Sequence, residues 1–150
     1  VEASGMNDCR LVIVGDGPQE DLYKKLAAKL RLKQIGFEGR QDPLSYYREA
    51  ALLMVTSAYE GWGMTLTEAQ QNGVVPVAFD TFASLHDIIT DGYNGAIIPP
   101  GNERSFALKL RELMYKSRTR QQMAVNAISS SNRVSSDNST RQWIAMFGEK

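Results

Sequence analysis

The sequence predicts an α/β protein built on a doubly wound, mainly parallel sheet. Three observations carry this. Short apolar, β-branched runs alternate with helix-length segments from Cys9 onward, the pattern of βαβ units. Three of the strand exits are glycine-rich: Gly15-Asp16-Gly17, Gly39-Arg40 and Glu60-Gly61-Trp62-Gly63. Right-handed crossovers place such exits at the carboxyl ends of the strands, where ligands bind in sheets of this class. The 150 residues suit one domain, long enough to bury roughly 70% of the unfolded surface.

Each element follows from local pattern. Val1 to Asp8 is short and polar and fits the tail of a helix begun earlier. Cys9 to Val14 is a β-branched run and reads as a buried parallel strand. Gly15-Asp16-Gly17-Pro18 breaks it, and Gln19 to Leu32 places Leu22, Leu26, Ala27 and Leu30 at helical spacing. Ile35 to Gly39 is a short strand with a glycine exit. Pro43 starts a helix through Ala50. Leu52 to Thr56 is a third strand, and a helix from Met64 to Gln71 follows the glycine loop. Val74 to Phe79 is a fourth strand whose first half Pro76 keeps from full laddering. Ser84 to Ile89 is a short helix, Asp91-Gly92-Tyr93-Asn94-Gly95 a turn, and Ala96 to Ile98 a last strand stopped by Pro99-Pro100-Gly101-Asn102. Phe106 to Met114 is amphipathic and helical, as is Gln121 to Ile128. The polar stretch Ser129 to Thr140 reads as a loop, and Thr140 to Phe147 as a terminal helix.

Charge and cysteine content narrow the function. Lys plus Arg and Asp plus Glu each number 17, so the chain has no net charge. That argues against an electrostatic nucleic-acid binder and leaves no basic face for a membrane. The single cysteine, Cys9, excludes an internal disulfide, and a reduced, cytoplasmic setting is the simplest expectation. No apolar run approaches a membrane span, and no signal peptide is visible. The chain opens on Val1, which is expected if it is part of something longer.

The chemistry concentrates in Tyr59 to Ala69. A strand turning through glycines into a helix leaves free N–H groups at the positive end of the helix dipole. Those groups form a seat for an anion such as a phosphate. Glu60 precedes the helix, and Glu68 lies about one turn inside it, with seven residues between them. Carboxylates accept from sugar hydroxyls rather than bind phosphate. Phosphate donors framed by hydroxyl acceptors point to a nucleotide sugar. A plain βα turn does not need two glycines, so ligand binding outweighs a merely solvated Glu68. Thr65 and Thr67 either donate to the ligand or cap the helix.

Other motifs are less specific. Gly15-Asp16-Gly17-Pro18 lacks the third glycine of a dinucleotide fingerprint, and it serves either as a tight turn or as a ligand-lining loop. Arg40 pairs either with a phosphate or with a surface carboxylate. His86, the only histidine, has no nucleophile motif beside it and reads as a surface or helix-cap residue. No second histidine or nearby cysteine supports a metal site. Met54, Met114, Met123 and Met146 read as core filler.

Five stretches now occur in a telling order: Val12 to Pro18, Phe37 to Arg40, Glu60 to Gly63 with Glu68-Ala69, Gly73 to Ala78, and Asp91 to Gly95. The series resembles the C-terminal, donor-binding domain of the family 4 retaining glycosyltransferases, glycosyl transferases group 1, of the GT-B fold. The spaced glutamates match that family's Glu-x7-Glu signature. The resemblance implies a Rossmann-like half of a GT-B enzyme over residues 1–150, acting in polysaccharide or glycoconjugate assembly. It implies that Glu60, the catalytic-site glutamate, contacts donor-sugar hydroxyls and that Glu68 grips the ribose. It gives the loop backbone of Gly63, Met64, Thr65 and Leu66 to the diphosphate and counts Gly61 and Trp62 among the donor-binding residues. It puts the base near Phe37 and Arg40, with Gly15, Asp16 and Gly17 lining the cleft. It implies no cofactor and no obligatory metal, the substrate being a UDP- or GDP-linked sugar.

The chain departs from the family in ways that shape further expectations. The family's first strand–helix unit, with its Arg and Lys, would precede Val1, as would an N-terminal acceptor-binding domain. Thr81-Phe82-Ala83-Ser84 stands where the family has glycines, and His86-Asp87 where it has Pro-Glu. The expected partners are a nucleotide-sugar donor and that N-terminal domain, with no nucleic acid. Peripheral membrane association of the full-length enzyme and dimerisation of this piece through the missing strand's place are further expectations. By itself the piece is expected to bind nucleotide weakly and transfer no sugar. Two alternatives are a non-catalytic nucleotide-binding module and a nicotinamide-binding domain; for the latter Gly15-Asp16-Gly17-Pro18 is only a partial match.

Overall fold

The computed structural model describes residues 9–134 and 136–148. Five strands alternate with helices in the order β1 (Leu11–Ile13), α1 (Glu20–Lys29), β2 (Ile35–Phe37), α2 (Leu44–Glu49), β3 (Leu52–Val55), α3 (Met64–Gln71), β4 (Val75–Phe79), α4 (Leu85–Ile88) and β5 (Ala96–Ile98). Three helices follow: α5 (Glu103–Tyr115), α6 (Ser117–Ser131) and, after a 3-10 turn at Asn132–Val134, α7 (Ser136–Gly148). Every ladder is parallel, as βαβ connections require. The strands pair in two sets, β1-β2 and β3-β4-β5, and the chain divides between Tyr46 and Tyr47 into two compact units.

In the first unit, Leu11, Val12 and Ile13 sit opposite Ile35, Gly36 and Phe37. The pairing continues past the strands, where the Gly15 N–H donates to the Gly39 carbonyl at 2.7 Å. Both glycines have positive φ, +129° and +65°, so side chains at these two exits would strain the backbone. The helical spacing of α1 is as expected, but its face is not a core face: Ala27 is buried, while Leu22, Leu26 and Leu30 are exposed. The strand predicted from Cys9 to Val14 shortens to three half-buried residues.

In the second unit, alternation along β4 assigns its two faces. Val75, Val77 and Phe79 pack with Phe106, Leu113 and Met123 of α5 and α6. Ala78 points the other way, into Leu66, Phe82, Leu85, Ile88 and Ile89 of the α3 and α4 side. Helices thus cover both faces of this sheet, and a central strand can read as an unbroken apolar run. Pro76 sits in this central strand without breaking it. Pro76 opposes Leu53 of β3, and the β5 ladder begins only at Val77, so the missing proline N–H falls where laddering to β5 has not started.

Two expectations fail here. Ser129 to Thr140 is not a loop: α6 runs through Ser131 and α7 begins at Ser136, with Ser135 outside the described residues. Met123, Ala127 and Ser131 form a buried stripe at four-residue spacing, and the Ser131 hydroxyl donates to its own helix at the Ile128 carbonyl, 2.8 Å away. A polar sequence therefore keeps a helix because burial of one stripe outweighs its weak propensity. The methionines are not all core. Met123 is buried, but Met54 on the edge strand β3 and Met146 on α7 are exposed.

Candidate functional site

The site is built where β3 leaves the sheet. Val55 ends the strand, the chain loops through Glu60 to Gly63, and α3 starts at Met64. Gly63 takes the N-cap position with φ +84° and ψ 52°. Among the described residues no side chain caps the helix. Thr67, a capping candidate from sequence, instead donates its hydroxyl to the Met64 carbonyl at 2.8 Å. Thr65 offers its carbonyl rather than a cap, 3.5 Å from the Tyr47 hydroxyl.

The seat holds three donors. Leu66 was expected among them, but its N–H is already given to the Gly63 carbonyl at 2.9 Å, and its side chain is fully buried in the core. Thr67 N–H also turns to Gly63. Among the described residues the N–H groups of Gly63, Met64 and Thr65 meet no backbone or side-chain acceptor, as a helix start dictates. They lie at the positive end of the dipole of an eight-residue helix.

Both glutamates are half-buried. Glu60 meets no hydrogen-bonding or ion-pairing partner among the described residues, which leaves its four lone-pair positions open. Glu68 accepts from the Tyr47 hydroxyl at 3.3 Å. Tyr47 is buried against Ala69, Val74 and Leu53. Burial pushes its phenol up to about 12, and the charge and hydrogen bond of Glu68 add to the rise. Two cavities of this unit, of about 140 and 530 Å³, are lined by other residues than the glutamates. The larger is framed by Asp80, His86, Asp91 and Pro99. The unpaired N–H groups of the helix start and the two half-buried glutamates together make up a shelf at this loop–helix junction.

The β4–α4 loop braces that shelf. Thr81 donates to the Ser57 carbonyl at 2.6 Å, and Ser84 donates to the carbonyls of Gly61 and Trp62 at 2.9 and 3.2 Å. Phe82 is buried behind Gly63. Sequence reasoning noted this loop only for its lack of glycines and gave no role to Tyr47. The available signal was chemical, since a buried tyrosine hydroxyl needs a partner. His86 is exposed, with Nε2 2.9 Å from Asp80, in keeping with a surface histidine.

The remaining candidates belong to the first unit. Gly15 and Gly17 form the turn into α1, with Glu20 N–H donating to the Gly17 carbonyl at 3.1 Å. Asp16 is exposed in that turn. Phe37 is half-buried on β2, with the Lys24 ammonium 5.8 Å from its ring centre. Arg40 is exposed just beyond the strand. Among the described residues no group of three or more His, Cys, Asp or Glu side chains could hold a metal ion, and no helix is long and apolar enough to cross a membrane.

Comparison with known proteins gives this geometry its setting. The model for glycosyl transferases group 1 matches residues 3–130. The chain is 29% identical over 138 residues to the poly(glycerol-phosphate) alpha-glucosyltransferase of Bacillus subtilis, covering 91% of this chain and 20% of that protein. The crystallised C-terminal domain of a glycosyl transferase group 1 family protein, LpcC, from Francisella tularensis aligns with a TM-score of 0.75 at 26% identity. That match covers 85% of this chain and 70% of the other. Anabaena HepE in complex with UDP and glucose aligns with a TM-score of 0.82 at 21% identity, over 94% of this chain and 41% of its own. The chain thus has the α/β, Rossmann-like architecture of one half of a GT-B protein and spans a fifth of the length of the curated relative. With its family model matched over most of its residues, this chain belongs to the glycosyl transferases group 1.

Proposed function

We propose that this chain is the donor-binding domain of a retaining, family 4 glycosyltransferase that takes a sugar from a nucleoside diphosphate carrier in polysaccharide or glycoconjugate assembly. The observation that carries the reading is the shelf itself: three unpaired N–H groups at the start of α3, flanked by two half-buried carboxylates. The family membership and the UDP held by a structural neighbour support it.

In this reading the N–H groups of Gly63, Met64 and Thr65 hold the diphosphate, Glu68 accepts from the ribose hydroxyls, and Glu60 accepts from hydroxyls of the donor sugar. Charge grows on the diphosphate as the anomeric bond breaks, and fixed N–H dipoles stabilise that charge without reorganising. The acceptor hydroxyl attacks the anomeric carbon on the face the diphosphate leaves. The reading assigns this neutralisation to the protein's own donors, so EDTA leaves nucleotide affinity unchanged. The acceptor is expected on a separate domain of a longer chain, so this chain alone binds donor and transfers none.

Calorimetric titration with UDP, GDP and ADP tests the reading. One of them binds, and Glu68→Ala weakens it about tenfold or more with the fold intact, the scale of losing hydrogen bonds to a charged acceptor. Unchanged affinity in Glu68→Ala removes the ribose role.

A further inference from the structure

We propose that Tyr47 is a positioning residue for nucleotide recognition: its hydroxyl holds one oxygen of the Glu68 carboxylate and leaves the other aimed at the vicinal diol of a ribose. The inference rests on the ribose role given to Glu68 above and adds to it the group that orients that carboxylate.

The geometry supports a dedicated holder. Tyr47 sits on α2, is 8% exposed, and is clamped by Ala69 and Val74, so its ring cannot follow solvent. Its hydroxyl reaches across to α3 from a position 21 residues earlier in the chain. Two acceptors lie within reach, Glu68 Oε2 at 3.3 Å and the Thr65 carbonyl at 3.5 Å. One phenolic proton serves one of them at a time, and the carboxylate is both nearer and charged. Among the described residues no other side chain meets the Glu68 carboxylate; Asn72 donates to the Glu68 main-chain carbonyl instead, at 2.9 Å.

A glutamate is a flexible ligand, and fixing it on binding costs side-chain entropy. A rigid phenol that holds one oxygen beforehand removes part of that cost, which is preorganisation. It also divides the carboxylate's lone pairs. One position on Oε2 is used, and Oε1 stays wholly available, which suits a bidentate pair of neighbouring hydroxyls. The Thr65 carbonyl beside the phenol belongs to the same first turn whose N–H groups form the anion seat. The ring that holds the carboxylate thus also stands beside the first turn of the phosphate-binding part.

The test takes whichever of UDP, GDP and ADP binds tightest, written here as UDP, and compares it with its 2′,3′-dideoxy analogue by calorimetry on the wild-type chain, Tyr47→Phe and Glu68→Gln. The wild type prefers UDP. Tyr47→Phe keeps the ring, weakens UDP about three- to tenfold, the scale of one hydrogen bond, and leaves the dideoxy analogue within twofold. Glu68→Gln abolishes the preference. If Tyr47→Phe weakens both ligands equally, or neither, Tyr47 is structural and the proposal is overturned while the ribose reading stands. If Glu68→Gln retains the preference, or the wild type binds neither ligand or binds both alike, the ribose reading fails and takes this one with it. Should Tyr47→Phe not fold, the Tyr47 Cζ resonance of the wild-type chain decides. It shifts with UDP and not with the dideoxy analogue, and an equal response overturns the proposal.

Discussion

The hydroxyl of Ser84 lies 2.9 Å from the carbonyl oxygen of Gly61, and this contact ties the entry of α4 to the loop that carries Glu60. The same hydroxyl is 3.2 Å from the Trp62 carbonyl, and Thr81 donates to the Ser57 carbonyl at 2.6 Å. Glu60 therefore lies between two points of attachment, both supplied by the segment where the family carries glycines. The expected outcome for Ser84→Ala is a loss of about 1 kcal/mol, the scale of one net hydrogen bond. Amide exchange at Gly61 to Met64 should quicken. Thermal melts and hydrogen exchange read the two effects, and unchanged exchange would show that the loop is held by other contacts.

Gly63 and Gly61 should respond differently to alanine. Gly63 has φ +84°, and a Cβ there would stand 3.1 Å from Leu66 Cδ1 and 3.4 Å from the Phe82 ring. The left-handed backbone alone costs a non-glycine residue about 1–2 kcal/mol, and the tight contact adds to it. Gly61 has open space around its Cα, and its φ lies outside the left-handed region. Gly63→Ala should lower the melting temperature by several degrees and displace the seat, weakening UDP. Gly61→Ala should be close to neutral for stability in the same melts.

The Tyr47 phenol predicts a pH dependence. Its ionisation is raised from the ordinary 10 to about 12, first by burial and then by Glu68. Between those values the unfolded chain has lost a proton that the folded chain keeps. Stability from this group is therefore full below pH 10 and falls as pH rises toward 12. Urea unfolding between pH 8.5 and 11.5 should show that slope, and Tyr47→Phe should flatten it. Glu68→Gln should bring the phenol's titration closer to 10, as read by tyrosinate absorbance against the wild type.

Asn94 is the polar pin of the unit. It is fully buried, accepts from the Thr90 N–H at 2.7 Å and donates to the Ile88 carbonyl at 3.0 Å. Gln70 of α3, 1% exposed, donates to the carbonyls of Ile88 and Asn94, which locks the helix bearing Glu68 to this turn. Asn94→Ala leaves the Thr90 N–H without its acceptor, leaves Gln70 as the remaining side-chain donor to the Ile88 carbonyl, and should cost about 1–3 kcal/mol by urea denaturation. Asn94→Asp restores the acceptor to Thr90 but not the donor to Ile88, so its cost should be comparable or larger.

Where pattern was dense, reading the chain came close to the fold. Met64 to Gln71 and Ala96 to Ile98 have the predicted bounds, because glycines and prolines stop those segments locally. Where one buried stripe decides, reading failed. Ser131 carries turn chemistry in its composition, yet it is buried at the end of α6. Leu22, Leu26 and Leu30 carry core chemistry, yet they are exposed on α1. Periodicity states that a helix has a face; it does not state what that face meets.

What the residues determined by themselves was the strand–glycine–helix unit and its two acidic positions, since backbone freedom at Gly63 and the orphan donors of a helix start are local physics. The packed chain decided which donors stay unpaired, with Leu66 already bonded to Gly63, and which side chains stand behind the acids. Tyr47 meets Glu68 across 21 residues, and Ser84 meets Gly61 across 23. The first pairing is set by how Tyr47 of α2 and Ala69 of α3 pack with Leu53 of β3, the second by where β3 and β4 lie side by side, and no local pattern in the chain encodes either.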